Sequence, residues 1–192
     1  MMKYYRTVAI ATMLLTFTLS ANAALLSIVA DKTDMLVGEE LTVEIVVSEL
    51  GGGNAPSLGA FDFNFEFDDV VFSIQTLDFG TGLDVLGFGS LQGASFLDDN
   101  LVNLFELSLD TADDLNMLQS DSFTLIEMTF AAITAGVGKF SVENVILSDG
   151  LGDLINTQIN QAQVAVLSPV NAPASVSLLL VSIIALKFRN RL

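Results

Sequence analysis

Phe61-Asp62-Phe63-Asn64-Phe65-Glu66-Phe67-Asp68 alternates without exception between a phenylalanine and a polar side chain. A period of two is the repeat of an extended strand, whose successive side chains point to opposite faces. The four rings therefore share one face, and the polar side chains share the other. A row of rings backed by acids can be a carbohydrate-stacking platform or the core face of a sandwich. With a charged reverse and about 150 to 200 Å² of surface on each ring, the core face is the stronger reading. Such a strand needs a second apolar layer to cover it.

Further strands are expected on both sides of it, at 25–30, 41–47, 70–77, 101–109, 122–130, 138–147 and 158–167, each rich in β-branched or aromatic residues. Glu49 to Pro56 and Gly80 to Gly93 read as turn-rich connections. One helix is expected over 110–119: Asp110 or Thr111 can cap it, Asp113 and Asp114 suit its first turn, and Leu115 and Leu118 share a side. Eight or nine strands, one short helix and no alternating βαβ units imply an all-β, antiparallel β-sandwich of the jelly-roll kind.

The chain has 192 residues and no Cys, His or Trp. That excludes a disulfide framework, a thiolate metal site and a nucleophile paired with histidine. All 23 acids lie between Asp31 and Asp153, accompanied only by Lys32 and Lys139, so residues 24–167 carry a net charge of −21. A surface this acidic repels nucleic acid.

The remaining five cations sit at the two ends. Lys3 and Arg6 precede an apolar run from Val8 to Leu19 and the small-residue site Ala21-Asn22-Ala23. That is the anatomy of a signal peptide over 1–23, cleaved after Ala23; the alternative, a membrane-spanning helix, has too few apolar residues. At the other end, Pro169 and Pro173 introduce the apolar run Ala174 to Leu186, followed by Lys187, Arg189 and Arg191. As a helix this run covers about 20 Å, a marginal span that snorkelling cations would lengthen, with the basic end on the cytoplasmic side. A buried core helix is the alternative, but the run lacks a polar stripe.

A proline turn, a short apolar helix and a terminal arginine cluster resemble the PEP-CTERM sorting signal of Gram-negative bacteria. The matching stretch is Asn171-Ala172-Pro173-Ala174-Ser175, with Ala172 in place of the motif's glutamate and Asn171 in place of its first proline. The resemblance implies an exosortase-type sorting protease, inner-membrane anchoring through 174–186 before processing, and delivery to the cell surface or matrix. The domain plan is then a signal peptide at 1–23, a sandwich at 24–167 and a sorting segment at 168–192.

Within the sandwich, Val37-Gly38-Glu39-Glu40-Leu41-Thr42-Val43, the stretch from Leu58-Gly59-Ala60 through the alternating strand to Val70-Val71-Phe72, and Asp121-Ser122-Phe123-Thr124-Leu125 are similar to strands of cohesin domains. The resemblance implies a nine-stranded sandwich, shaped like a carbohydrate-binding module, that binds other domains or glycans without catalysis.

Catalysis from this inventory would need a carboxylate pair, as in a glycoside hydrolase. Such clefts also use Trp, Tyr or His, and the only tyrosines are Tyr4 and Tyr5 in the leader. No catalytic residue and no organic cofactor is assigned. Calcium is the better candidate ligand, since it takes clustered carboxylates and loop carbonyls. Asp68-Asp69, Asp98-Asp99-Asn100 and Asp149-Gly150-Leu151-Gly152-Asp153 qualify, against a plain reading as turns whose Asp side chains accept local backbone bonds. Asp149, Asp153, Asp98 and Asp99 are the named metal candidates. The function expected from the sequence is a displayed, non-enzymatic module that binds an exopolysaccharide in a biofilm matrix, with a surface protein as the alternative partner.

Overall fold

The computed structural model describes residues 23–169. The leader up to Asn22, the Pro173-Ala174-Ser175 motif and the cationic end lie outside the described residues.

The elements in chain order are β1 (Ala24–Ala30), β2 (Asp34–Leu36), β3 (Glu40–Ser48), β4 (Ala60–Phe67), β5 (Phe72–Phe79), β6 (Ser90–Asp98), β7 (Leu101–Ser108), α1 (Ala112–Leu118), β8 (Phe123–Ala132), β9 (Gly136–Ser148), β10 (Thr157–Asn160) and β11 (Ala162–Leu167). They form two sheets, one ordered β10-β1-β3-β8-β5 and the other β2-β11-β9-β4-β7-β6.

The alternating octapeptide is β4, near the middle of the six-stranded sheet, and Phe61, Phe63, Phe65 and Phe67 are all buried. The opposite sheet meets them with its own rings. Phe67 lies 5.2 Å from Phe130 of β8, and Phe72 of β5 lies 5.0 Å from Phe140 of β9, centroid to centroid. These tilted contacts are the geometry aromatic pairs prefer. Gly138 makes room for the Phe72 ring: a Cβ there would run into it.

The sheets are mixed, which corrects the expected all-antiparallel arrangement. β1 pairs parallel with β10, and β11 pairs parallel with β2. Both ends of the domain divide between the two sheets: the expected strand 158–167 breaks at Gln161, and β1 gives way to β2 across Asp31–Thr33. Strands this far apart in sequence need no hairpin, so nothing local imposes an antiparallel sense. Two strands lay outside the sequence reading altogether. β2 is three residues long, and β6 falls partly inside the glycine-rich stretch read as a loop.

α1 matches its expected position. Thr111 caps it by accepting from the Asp114 N–H at 3.3 Å, and Leu115 is its buried residue. Next to it, Gln119 is buried and holds two connections together. Its Oε1 accepts from the Leu58 N–H at 2.6 Å, while its Nε2 donates to the carbonyls of Leu58 and Gly82, each at 2.9 Å. The β5–β6 loop is tied further by Asp110, whose Oδ2 accepts from Val85 and Leu86, and by Ser108, which donates to the Leu83 carbonyl.

Candidate interaction face

Strand alternation places Leu91, Gly93 and Ser95 of β6 and Leu101, Asn103, Phe105 and Leu107 of β7 on the outer face of the six-stranded sheet. Asp62, Asn64 and Glu66 of β4 and Ser141, Glu143 and Ile146 of β9 lie there too. A bulge in β9, with Asn144 at φ 53°, sets two residues opposite Phe63 and keeps Ile146 and Glu143 both facing outward.

The two ends of this face differ in chemistry. At one end Leu91 (57% exposed), Leu107 (46%) and Ile146 (55%) form a strip across β6, β7 and β9. Leu154, 78% exposed, extends it beside Ile146, in a shallow groove shared with Ile155 and Ile159. The Phe105 ring belongs to the same strip and lies against Gly93, where a Cβ would sit 2.6 Å from it. The other end is polar. Asn103 Nδ2 donates to Asp62 Oδ1 at 2.8 Å and to Asn64 Oδ1 at 3.1 Å, and Ser141 donates to Glu66. Lys139 borders this end beside Glu66, Asp68 and Asp69.

Apolar side chains gathered in an exposed strip order the water around them, and that water is released when another surface covers the strip. Period-two reading alone did not isolate it. The available signal was β7, Leu101 to Ser108, which carries apolar residues on both faces where a half-wet strand needs them on one.

The metal candidates separate in space. Asp98 and Asp99 sit at the turn from β6 to β7, and Asp149 to Asp153 follow β9, at opposite ends of the six-stranded sheet. Asp98 Oδ1 accepts from the Asp99 N–H. Asp149 Oδ1 accepts from the N–H groups of Leu151 and Asp153, both at 2.9 Å. Each is the local turn bond that Asp forms with the following backbone. Among the described residues, no group of three or more acids is placed to hold a metal ion.

Glu106 is the one carboxyl that burial pushes clearly above its ordinary range, with nearby Asp84 adding to the rise and a bond from Ser90 opposing it. It points between the sheets from β7, opposite Phe61, and its Oε2 has no partner.

No protein-family model matches the sequence, and no curated protein matches it either. Solved structures do match. The seventh ScaB type I cohesin of Pseudobacteroides cellulosolvens superposes with a TM-score of 0.61 at 13% identity, over 78% of this chain and 95% of that one. A type II cohesin domain from the cellulosome of Acetivibrio cellulolyticus gives 0.61 at 21% identity, over 74% and 95%. The sixth cohesin of that organism's scaffoldin B, solved in complex with a Cel5 dockerin, gives 0.60 at 13% identity, over 76% and 99%. The described domain is a two-sheet β-sandwich with the fold of cohesin modules.

Proposed function

We propose that this chain is a non-enzymatic protein-interaction module that docks a partner on the outer face of β6, β7, β4 and β9. The observation that carries the reading is the exposed apolar strip of Leu91, Leu107, Ile146 and Leu154 on a domain of net charge −21. An apolar strip at one end of the face and acids at the other fit a partner that brings apolar side chains to the first and basic ones to the second. The similar Acetivibrio fold bound to a dockerin supports a protein partner over the polysaccharide that the sequence reading placed first.

Display outside the cell belongs to the same proposal. The leader ending at Ala21-Asn22-Ala23 exports the chain, and the Pro173-Ala174-Ser175 segment with Lys187, Arg189 and Arg191 directs sorting by an exosortase-type protease. Intact-mass measurement of envelope material tests this half: a chain beginning at Ala24 and lacking Leu192 supports it, and an unprocessed chain overturns it.

For the docking half, immobilised domain is compared with its Leu107→Asp and Ile146→Asp variants. The expected result is that envelope proteins retained by the parent are lost by both variants at unchanged thermal stability, and that retention weakens with salt. Retention on a polysaccharide column that survives both substitutions would refute it.

A further inference from the structure

Among the described residues β6 is an edge strand, paired with β7 on one side and with no strand on the other. An open edge offers unpaired N–H and C=O groups to any extended chain, and soluble proteins guard it with lysines, prolines, bulges or shortness. The other three edges are guarded. β2 and β10 are three and four residues long. β5 carries a bulge between Ile74 and Thr76 and an acid at Asp78, and Gln75 folds back to donate to the Ser73 carbonyl.

β6 has no such guard. It reads Ser90-Leu91-Gln92-Gly93-Ala94-Ser95-Phe96-Leu97-Asp98, with no proline, no charge before Asp98, and its one irregularity at the far end, between Phe96 and Asp98. Its inner side is uncovered as well. Gln92, Ala94 and Phe96 share a side with the buried Val102 and Leu104 of β7 yet are exposed, Phe96 to 60%. The five-stranded sheet ends at β5 and leaves β6 overhanging.

We propose that two copies of this chain pair antiparallel through β6, joining their six-stranded sheets into one continuous sheet about a two-fold axis at the middle of the strand. A second copy is the occupant that matches the chemistry. Two-fold pairing sets the uncharged centre of β6 against itself and sends each copy's Asp98 to the opposite end of the contact. A basic partner is drawn to the acids on the sheet face, whereas this edge holds no charge from Ser90 to Leu97 to attract it. Phe88, Leu91, Phe96 and Leu97 each expose more than half of their surface. Covering them and the backbone edge in both copies removes about 1,000 Å² in total, the lower limit for a specific interface, so the dimer is reversible. Residues 24–167 carry −21 in each copy, so screening their repulsion strengthens the dimer, the reverse of what salt does to a basic partner.

The chain has no cysteine, so a single introduced thiol reports the contact. Gln92→Cys, Ala94→Cys and Ser95→Cys in the full chain are each oxidised, with Val70→Cys, at an exposed turn, as the control. Disulfide-linked dimer is expected from the β6 positions, highest nearest the axis where Cα atoms approach within roughly 7 Å, and only background from Val70→Cys. Residues 23–169 contain both sheets and a continuous core, the make-up of a self-contained domain. Sedimentation of this segment is expected to show a monomer–dimer equilibrium whose association rises about threefold from low to physiological salt. Phe96→Glu is expected to abolish it with unchanged thermal unfolding. A monomer at every concentration, β6 cross-linking no higher than the control, a dimer untouched by Phe96→Glu, or a dimer weakened by salt would each overturn the proposal.

Discussion

Replacing Glu106 by glutamine tests the energetics of the core end of β7. The side chain is 2% exposed, its Oε1 accepts from Ser90 Oγ, and its Oε2 has no partner. An ionised, half-satisfied carboxylate in that position costs free energy, because water that would solvate it has been removed. Glutamine keeps an oxygen for Ser90 and carries no charge. Its amide NH₂ brings a smaller desolvation cost of its own, so the net gain expected at pH 7 is about 1 kcal/mol, or roughly 3 °C in the midpoint for a domain of this size. The pH dependence separates this cause from general repacking. The folded-state pKa of Glu106 is raised above 4.5, chiefly by burial, so the folded protein holds this proton more tightly than the unfolded chain. The stability contributed by protonated Glu106 is fully present below the unfolded value and is lost as pH rises through the folded one. The advantage of Glu106→Gln should therefore be absent in acid, appear as pH rises, and level off above the folded pKa. Urea unfolding of both proteins across a pH series measures it. A Gln variant less stable at pH 7, or a difference independent of pH, would refute the account.

Gln119→Ala should cost about 3 kcal/mol in urea unfolding, since it strands the Leu58 N–H and the carbonyls of Leu58 and Gly82 in a buried site. Gly138→Ala forces a Cβ into the Phe72 ring and should lose about 1–3 kcal/mol, whereas Gly87→Ala, with open space around it but φ at +76°, should lose only about 1 kcal/mol; thermal melts rank the two. Asp149→Ala should lower stability by about 1 kcal/mol to the same extent with calcium and with chelator, because the carboxylate is bound to the N–H groups of Leu151 and Asp153. A loss seen only in the presence of calcium would make that turn an ion site.

The strands legible in the sequence are those whose inner and outer faces differ. β4 carries Phe inside and Asp, Asn and Glu outside, and β3 buries Leu41, Val43, Ile45 and Val47 in the same period. Helix α1 was legible from Thr111 and the acids of its first turn, because a cap is a local hydrogen bond between near neighbours. β6 was not legible. As an overhanging edge strand it buries neither face, so its apolar residues follow no period, and Gly87, Gly89 and Gly93 gave it the look of a loop. The turn aspartates were visible as clusters, but whether a carboxylate faces an ion or its own backbone depends on a loop geometry that no spacing encodes.

Periodicity, composition and charge are local properties of the chain, and they suffice for a β-sandwich with a phenylalanine core, an acidic surface and segregated cationic ends. The parallel pairing of β1 with β10 and of β2 with β11, the burial of Glu106, the apolar strip from Leu91 to Leu154 and the open edge of β6 were decided by the tertiary structure. Each of these depends on which distant segments become neighbours. Leu107 has the same side chain as the buried Leu104, and Ile146 is an isomer of the buried Leu147; the packing of one sheet against the other makes the first of each pair a surface and the second a core.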